Sequence, residues 1–175
     1  VAVLWHDIGY VRGICREDAD RVYSTGIPGE TVRLAPGTTD AALMPYHVDR
    51  SKRFVMEYFE GQPLVDTDRV IANIERTRFP VPDTDAYQST ADDPGLVRAA
   101  DLIAQLAGTK RPRRYAALFS EFEETGTNAT FGYTCPDDIA DGASSFYWNA
   151  VHPYIGEGLY YLRVTQDGQH WVNDL

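Results

Sequence analysis

The sequence predicts an all-α fold, and three observations carry that prediction. Apolar residues recur at helical spacings in several segments, capping residues and prolines bound those segments, and no segment shows the alternation of a half-buried strand. Hydrophobic residues make up 43% and charged residues 24% of the 175 residues, which is the composition of an ordinary globular protein. We expect one domain over residues 1–175, because a domain typically holds roughly 100–200 residues.

The chain opens on an apolar run, Val1 to Trp5, with no N-cap residue before it. Helices usually begin after Ser, Thr, Asp or Asn. We therefore interpret the run as the last turns of a helix, and we expect further residues before Val1 in the full protein. The next segment, 9–39, is rich in Gly, Pro, Arg and Asp and has no sustained period. It is predicted to be a long loop.

Two helices are predicted to follow this loop. Apolar residues fall largely at helical spacings over 40–60, and Gly61 supplies the stop. Asp66 or Thr67 can cap the second helix. Pro80 ends it, because proline cannot continue a helix.

A longer helix is predicted from Asp93, a capping residue followed by proline, to the residue before Gly108. Its inward residues are predicted to be Leu96, Val97, Ala100, Ile103, Ala104 and Ala107. Pro112 opens a further helix. The inward residues of that helix are predicted to be Tyr115, Leu118, Phe119 and Phe122. A last helical stretch covers residues 144–165, with an interruption near Pro153.

The charge balance restricts the partners. The chain carries 16 Lys and Arg against 26 Asp and Glu, a net charge of −10, which disfavours duplex nucleic acid and suits a protein that holds cations. Cys15 and Cys135 cannot form a disulfide scaffold or, by themselves, a zinc knuckle. No run approaches the ~20 apolar residues of a membrane span, and no signal peptide is visible. We expect a cytoplasmic protein without a membrane partner.

The most informative short string is His6-Asp7-Ile8-Gly9, where the first apolar run ends. Adjacent imidazole and carboxylate groups offer one nitrogen and one oxygen to a divalent cation. Neighbouring residues on a helix point about 100° apart, so both reach one ion only if the ion lies beside that edge. The alternative is a helix-terminal pair in which Asp7 accepts a hydrogen bond from His6.

Asp101 lies within an otherwise apolar helical stretch, residues 97–107. A carboxylate in such a setting is costly unless it is exposed, paired or bound to metal. Arg98 and Gln105, at i−3 and i+4, share its side of the helix. This polar stripe is either a solvated face or the wall of a polar pocket.

Together, His6-Asp7-Ile8-Gly9 and Ala100-Asp101-Leu102-Ile103 resemble the H…HD…D pattern of the HD-domain metal-dependent phosphohydrolases. The resemblance implies an all-helical bundle in which His6, Asp7 and Asp101 bind a divalent metal, with an earlier His before Val1. Three further strings are similar to strings of a bacterial branch of this superfamily, so the resemblance extends over nearly the whole chain. They are Thr77-Arg78-Phe79-Pro80, Glu121-Phe122-Glu123-Glu124 and Phe146-Tyr147-Trp148.

Further residues have candidate roles beside this pattern. His47 falls where two-metal HD-domain members have additional histidines, which implies a general acid or an outer ligand; the alternative is a surface histidine. Arg50 and Arg53, with Lys52 beside them, could clamp phosphate oxygens, or they could form a solvated face. Glu75 could supply a second carboxylate, or it could pair with a nearby Arg.

Other kinds of active site are not indicated. Arg12 and Arg16 lie near Cys15 in sequence and would lower the pKa of its thiol, but no partner histidine follows from the spacing. His152 and His170, among aromatic residues near the C-terminus, are interpreted as structural or surface residues. No Gly-rich phosphate-binding loop matches.

The resemblance implies hydrolysis of a phosphate mono- or diester by a water activated on Mn, Fe, Zn, Ni, Co or Mg. Asp7 or Asp101 would take the proton of the water, His47 would protonate the leaving group, and Arg50 or Arg53 would neutralise developing charge. The expected substrate is a small phosphorylated molecule such as a nucleotide, and homo-oligomers are left open. Two alternatives remain: a catalytically silent metal- or ligand-binding regulatory module, and a di-iron oxygenase of the HD superfamily.

Overall fold

The structure is a computed structural model that describes residues 1–107 and 111–175, the side chains of residues 111 and 112 excepted. The chain is mostly helical, so the predicted all-α class is confirmed. It divides into two compact units, Val1–Arg78 and Phe79–Leu175. Gly108, predicted to end a helix, lies outside the described residues. Within the described ranges, no helix is long and apolar enough to cross a membrane.

The first unit combines helices with a hairpin. Its elements are α1 (Ala2–Trp5), β1 (Val22–Ser24), β2 (Thr31–Arg33), α2 (His47–Tyr58) and α3 (Thr67–Glu75). Two 3₁₀ segments, Ile8–Tyr10 and Asp40–Tyr46, precede α2. The N-cap of α3 is Asp66, as predicted, and its carboxylate accepts from the backbone N–H of Arg69.

The segment 9–39, predicted to be loop, contains the hairpin. β1 and β2 are antiparallel, with Tyr23 opposite Val32. The prediction that the chain has no strand is therefore wrong at this place. Strands of three residues are too short to show an alternating pattern. Gly26 and Gly29, at φ 90° and 79°, supply the left-handed backbone that the connection needs.

The helix predicted over 40–60 is divided at its start. A 3₁₀ segment reaches Tyr46, and only then does α2 begin. Pro45 lies just before the boundary; it has no N–H to donate, and its ring disfavours α conformation in the residue before it. The division makes His47 the first residue of α2.

α2 is the central helix of the first unit. It packs against α3 and against the 3₁₀ turn Ile8–Tyr10. Val48 and Val55 of α2 are buried, as are Val70 and Ile74 of α3. A second buried cluster consists of Tyr23, Leu34 and Leu43. α2 thereby presents one face to the core and another to the turn that follows His6-Asp7.

The second unit is helical throughout its described elements. They are α4 (Asp93–Leu106), α5 (Arg111–Thr125), α6 (Thr127–Phe131), α7 (Pro136–Phe146), α8 (His152–Leu162) and α9 (Gln166–Asn173). A π-helical turn, Tyr147–Val151, joins α7 to α8 and places the interruption before Pro153. The apolar residues predicted to face inward on α5 are only partly exposed, in agreement with the prediction.

The buried face of α4 differs from the predicted one. Its N-cap is Asp92, one residue earlier than predicted. Ala100 and Ala104, predicted inward, are exposed, whereas Arg98 is buried. Arg98 donates to the backbone carbonyls of residues 87 and 89, and its guanidinium lies 4.2 Å from the centre of the Tyr154 ring. The spacing of apolar residues cannot predict the burial of Arg98, because such a pattern places every arginine on the solvent-exposed face. The cluster around α4 consists of Ala99, Leu102, Ile103, Ala107, Val151 and Ile155.

Candidate functional site

His6, Asp7 and His47 meet in the first unit, and we call them the histidine cluster. The Oδ2 atom of Asp7 lies 3.3 Å from Nε2 of His6. Its other oxygen, Oδ1, lies 4.0 Å from Nε2 of His47. The turn after α1 carries the first two residues, and the first position of α2 carries the third. A carboxylate is thus placed between two imidazole rings.

Both rings of the histidine cluster are oriented by backbone carbonyls. Nδ1 of His6 is 3.0 Å from the carbonyl oxygen of Val3, and Nδ1 of His47 is 2.6 Å from that of Met44. A carbonyl oxygen only accepts, so each Nδ1 must carry the hydrogen, and in the neutral ring the lone pair is then on Nε2. The ring of Tyr10 stacks on His47 at 4.5 Å and 18°.

The cluster opens to solvent on the side of its carboxylate. The side chains of His6 and His47 are 16% and 17% exposed, and that of Asp7 is 57% exposed. Desolvation would raise the pKa of Asp7, but the protonated form of His6, in which both ring nitrogens carry hydrogen, lowers it through a hydrogen bond and its charge, and the charge of His47 lowers it further. Asp7 is therefore a carboxylate at neutral pH.

The histidine cluster is not a closed metal site. Among residues 1–107 and 111–175, no group of three or more His, Cys, Asp and Glu side chains is arranged to hold a metal ion. The separation between His47 and Asp7 exceeds a hydrogen bond.

Gly9 and Ser51 hold the turn against α2. The hydroxyl of Ser51 donates to the carbonyl oxygen of His6 at 2.7 Å and accepts from the N–H of Gly9 at 2.9 Å. A Cβ on Gly9 would lie 1.9 Å from the carbonyl oxygen of His47. Glycine is required because no side chain fits between the turn and α2 at this point.

Arg50 is fully buried and uses every donor inside the unit. Its Nε donates to the carbonyl of Gly9 at 2.7 Å. The other four N–H bonds reach the carbonyls of Val11 and Ser24 and both carboxylate oxygens of Asp18. An arginine has five N–H donors, so no donor is left for a phosphate. Predicted as a phosphate clamp, Arg50 instead fastens the segment after the turn onto α2.

Asp18 is a residue that sequence reasoning missed. Its side chain is 1% exposed and accepts from the N–H groups of Gly13, Cys15 and Ser24 besides Arg50. Burial would raise the pKa of Asp18, but the bonds and charge of Arg50 and the backbone donors lower it. It lies in a segment without a period, where no sequence signal separates it from its exposed neighbours.

The remaining predicted residues of the first unit form ion pairs. Arg53 donates from Nε to Glu57 at 2.5 Å and is paired with Glu17 at 3.2 Å. Lys52 bonds both Glu75 and Asp49. Glu75 also accepts from Arg78 at 2.6 Å, which is the pairing with an arginine that the sequence left as the alternative to a metal ligand.

Asp101 lies in the second unit, on α4. It is partly exposed and accepts from Nε2 of Gln105 at 3.0 Å. The i, i+4 spacing predicts Gln105 as a neighbour of Asp101, as observed. Arg98, predicted on the same side of the helix, is buried instead. Its assignment as a metal ligand stays a prediction.

The pKa of the Cys15 thiol is shifted in the opposite direction from the one that the arginines near it in sequence predict. The side chain is buried, and burial raises the pKa of its thiol to about 11, with Arg50 offsetting only part of the effect. The predicted lowering by Arg12 and Arg16 is therefore wrong. Desolvation disfavours the thiolate more than the charges of Arg50 and Arg53 favour it.

One comparison with known proteins gives a match. The family model described as Npun_R2479-like matches residues 1–175, the whole chain. No curated protein and no solved structure matches the chain.

Proposed function

The chain belongs to the Npun_R2479-like family, and we propose that it binds a divalent metal ion at the histidine cluster and hydrolyses a phosphate mono- or diester. The observation that carries the proposal is the orientation of two imidazole rings. Each has Nδ1 on a backbone carbonyl and Nε2 on the side of Asp7. Metal-binding histidines almost always donate their second ring N–H in this way.

Each nitrogen–oxygen separation in the histidine cluster, taken as a pair, is below the largest distance between two ligands of one ion. Nitrogen and oxygen ligands lie about 2.1 Å from zinc, so two ligands of one ion are at most about 4.2 Å apart. The two nitrogen–oxygen separations, 3.3 Å and 4.0 Å, both fall within this limit. Two imidazoles and one carboxylate suit Mn, Fe, Co, Ni or Zn better than Mg, which prefers oxygen ligands.

A divalent cation would supply Lewis acidity, which acidifies a water and neutralises phosphoryl charge. The chain's own residues supply the rest. Asp7 is ionised at neutral pH and exposed, so it can accept the proton of an attacking water. His6 and His47 are held in one orientation by their carbonyls. Support for a phosphate ester as substrate comes from the resemblance to the HD-domain phosphohydrolases, which also assigns Asp101 as a ligand.

A second candidate is a metal-binding module without hydrolytic activity. One observation favours it: the cations predicted to hold phosphate are paired with carboxylates. Arg50 is paired with Asp18, and Arg53 with Glu57. Phosphate would have to compete with these carboxylates. The two candidates share the metal site and differ in catalysis.

The test measures metal binding first and hydrolysis second. Co²⁺ is titrated into the wild type, His47→Ala and the control His152→Ala, an exposed histidine of the second unit. We expect His47→Ala to lose at least the 10–100-fold in affinity that outer-shell changes typically cost, and the control to keep wild-type affinity. Equal affinity in all three would exclude the histidine cluster as the site.

The metal-loaded wild type is then assayed on aryl phosphate monoesters and diesters. Hydrolysis that disappears in His47→Ala supports the hydrolase, whereas metal binding without turnover supports the silent module. Asp101→Ala tests the remaining ligand: unchanged Co²⁺ affinity would remove Asp101 from the ligand set. An iron-dependent optical band with oxygen uptake would point to the oxygenase instead.

A further inference from the structure

We propose that an apolar groove in the second unit binds an organic cation, a small molecule with an apolar body and an ammonium head. The groove lies among α4, α8 and α9 and has a volume of about 510 Å³. Small-molecule sites usually measure ~300–1,000 Å³ and are lined mainly by apolar side chains. All of its lining residues belong to the second unit, so the inference is independent of the proposed metal chemistry.

Small residues of α4 and α8 form part of the groove. Ala100 and Ala104 line it and are exposed, although the apolar spacing of α4 predicts them to face inward. Gly158 of α8 also lines it, and a Cβ there would lie 2.9 Å from the Cβ of Ala99. Glycine therefore lets α8 approach α4 closely. The apolar stripe of α4 is wider than the surface that α8 covers, and the uncovered part is available to the body of a ligand.

Two aromatic side chains also line the groove. Tyr161 is 59% exposed and Trp171 is 46% exposed. The face of an aromatic ring carries negative charge density, so it attracts cations, and tryptophan does so most strongly. An ammonium head beside these rings would gain this attraction while its apolar body contacts the alanines.

The residues that flank the groove are acidic. Asp167 and Asp174 lie four residues before and three residues after Trp171, so they share its side of α9. Asp93 lies seven residues before Ala100 and shares its side of α4. The sequence of the second unit agrees with this local charge, because residues 79–175 contain 14 Asp and Glu against 6 Lys and Arg.

Three arginines of the second unit are occupied or directed elsewhere. Arg98 is buried on backbone carbonyls, and Arg114 donates to the last carbonyls of α4. Arg163 lies five residues after Gly158, about 140° around α8. An anionic ligand would meet carboxylates at this groove, and a second copy docked by the same face would bring the same carboxylates to it. An ammonium head is the complementary charge.

The first experiment compares three probes that have the same body and different heads. Metal-free protein is titrated by calorimetry with 4-phenylbutylamine, 4-phenylbutanol and 4-phenylbutyrate. We expect the amine to bind about 2- to 30-fold more tightly than the alcohol, which is the factor that a cation beside an aromatic face contributes. The butyrate should bind most weakly. Equal affinities for the amine and the alcohol, or no binding of any probe, would overturn the proposal.

The second experiment locates the bound amine. Ala104→Leu fills part of the groove, so we expect it to weaken amine binding by about 5- to 100-fold. Ala117→Leu is the matched control, because Ala117 is an exposed alanine of α5 that does not line the groove. Thermal melts check that both variants are folded. Equal amine affinity in the two variants would place the amine outside the groove and overturn the proposal.

The third experiment tests the aromatic contribution. Trp171→Leu keeps an apolar side chain and removes the ring, so it should reduce the preference for the amine over the alcohol. Trp148→Leu is the control, since Trp148 is an exposed tryptophan outside the groove. An unchanged preference in Trp171→Leu would contradict the role of the ring.

Sedimentation of the wild type and of Ala104→Leu tests a different occupant. We expect the same oligomeric state in both proteins. A dimer that forms in the wild type and is lost in Ala104→Leu would assign the groove to a second copy of the chain and overturn the proposal.

Discussion

Two groups of polar side chains each include one residue of α2, His47 in one and Arg50 in the other, and they use their hydrogen-bonding atoms differently. The Arg50 cluster consists of Arg50 and Asp18 with the carbonyls of Gly9, Val11 and Ser24. Its two side chains are buried, and all five donors of the arginine are occupied. In the histidine cluster, each Nδ1 is occupied and each Nε2 faces an exposed carboxylate. The saturated group is enclosed in the fold, whereas the histidine cluster is partly exposed to solvent.

The two clusters also depend on each other. Arg50 and Ser51 hold the backbone of the turn, and the turn carries His6 and Asp7 to His47. The first cluster therefore supplies the rigidity that the second needs. A substitution in the Arg50 cluster should affect stability first, and one at the histidine cluster should affect ligand binding first.

The largest expected effect is a loss of stability when the Arg50 cluster loses its arginine. Arg50→Met leaves the carboxylate of Asp18 buried without its cation, so we expect the free energy of unfolding to fall by about 3–5 kcal/mol. Urea denaturation measures this change. Arg53→Met is the control: its side chain is 23% exposed, and we expect a loss of roughly 0.2–1 kcal/mol. Equal losses in the two variants would contradict the distinction between a fully buried and a partly exposed ion pair.

A smaller effect is expected where the two clusters join. Gly9→Ala places a methyl group against the carbonyl of His47, so the turn must move away from α2. We expect a loss of about 1–3 kcal/mol in unfolding free energy, together with weaker Co²⁺ binding. Gly142→Ala is the control, because a Cβ there meets only the hydroxyl of Tyr133 at 3.6 Å. Alanine favours a helix over glycine, so this variant should be neutral or more stable.

The smallest effect concerns acid stability. The pKa of Asp18 is lowered in the folded protein, so the unfolded state binds the proton more tightly. The contribution of Asp18 is present above its ordinary pKa of 3.8 and is lost as the pH falls through the lower folded value. Between pH 7 and pH 3, Asp18→Asn should therefore lose less stability than the wild type, as measured by denaturation at each pH. A steeper loss in the variant would contradict this sign.

Much of the helical architecture could be predicted from the sequence. Asp66 was identified as a candidate N-cap, because carboxylates at this position accept from exposed N–H groups of the first turn. The pairing of Glu75 with an arginine joins residues only three apart in the chain, where α3 ends. Both predictions depend on neighbours in sequence, where local geometry leaves few possibilities.

The burial of particular arginines could not be predicted in this way. Arg50 and Arg53 are three residues apart on α2, yet one is fully buried and the other is partly exposed. The difference arises from Asp18 and the carbonyl of Gly9, which come from distant parts of the chain. The burial of Arg98 on α4 has the same kind of cause, since backbone carbonyls and the ring of Tyr154 make it possible.

The sequence by itself determined that the chain is helical, that His6 and Asp7 end an apolar run, and that His47 is a candidate partner. These conclusions need only helical periodicity, capping preferences and the chemistry of adjacent side chains. Tertiary structure alone decided that His47 faces Asp7 across 40 positions of chain and that Arg50 serves the fold instead of a phosphate. The reason is physical: a side chain's role depends on which donors and acceptors the packed chain leaves unused, and that is set by contacts between distant segments.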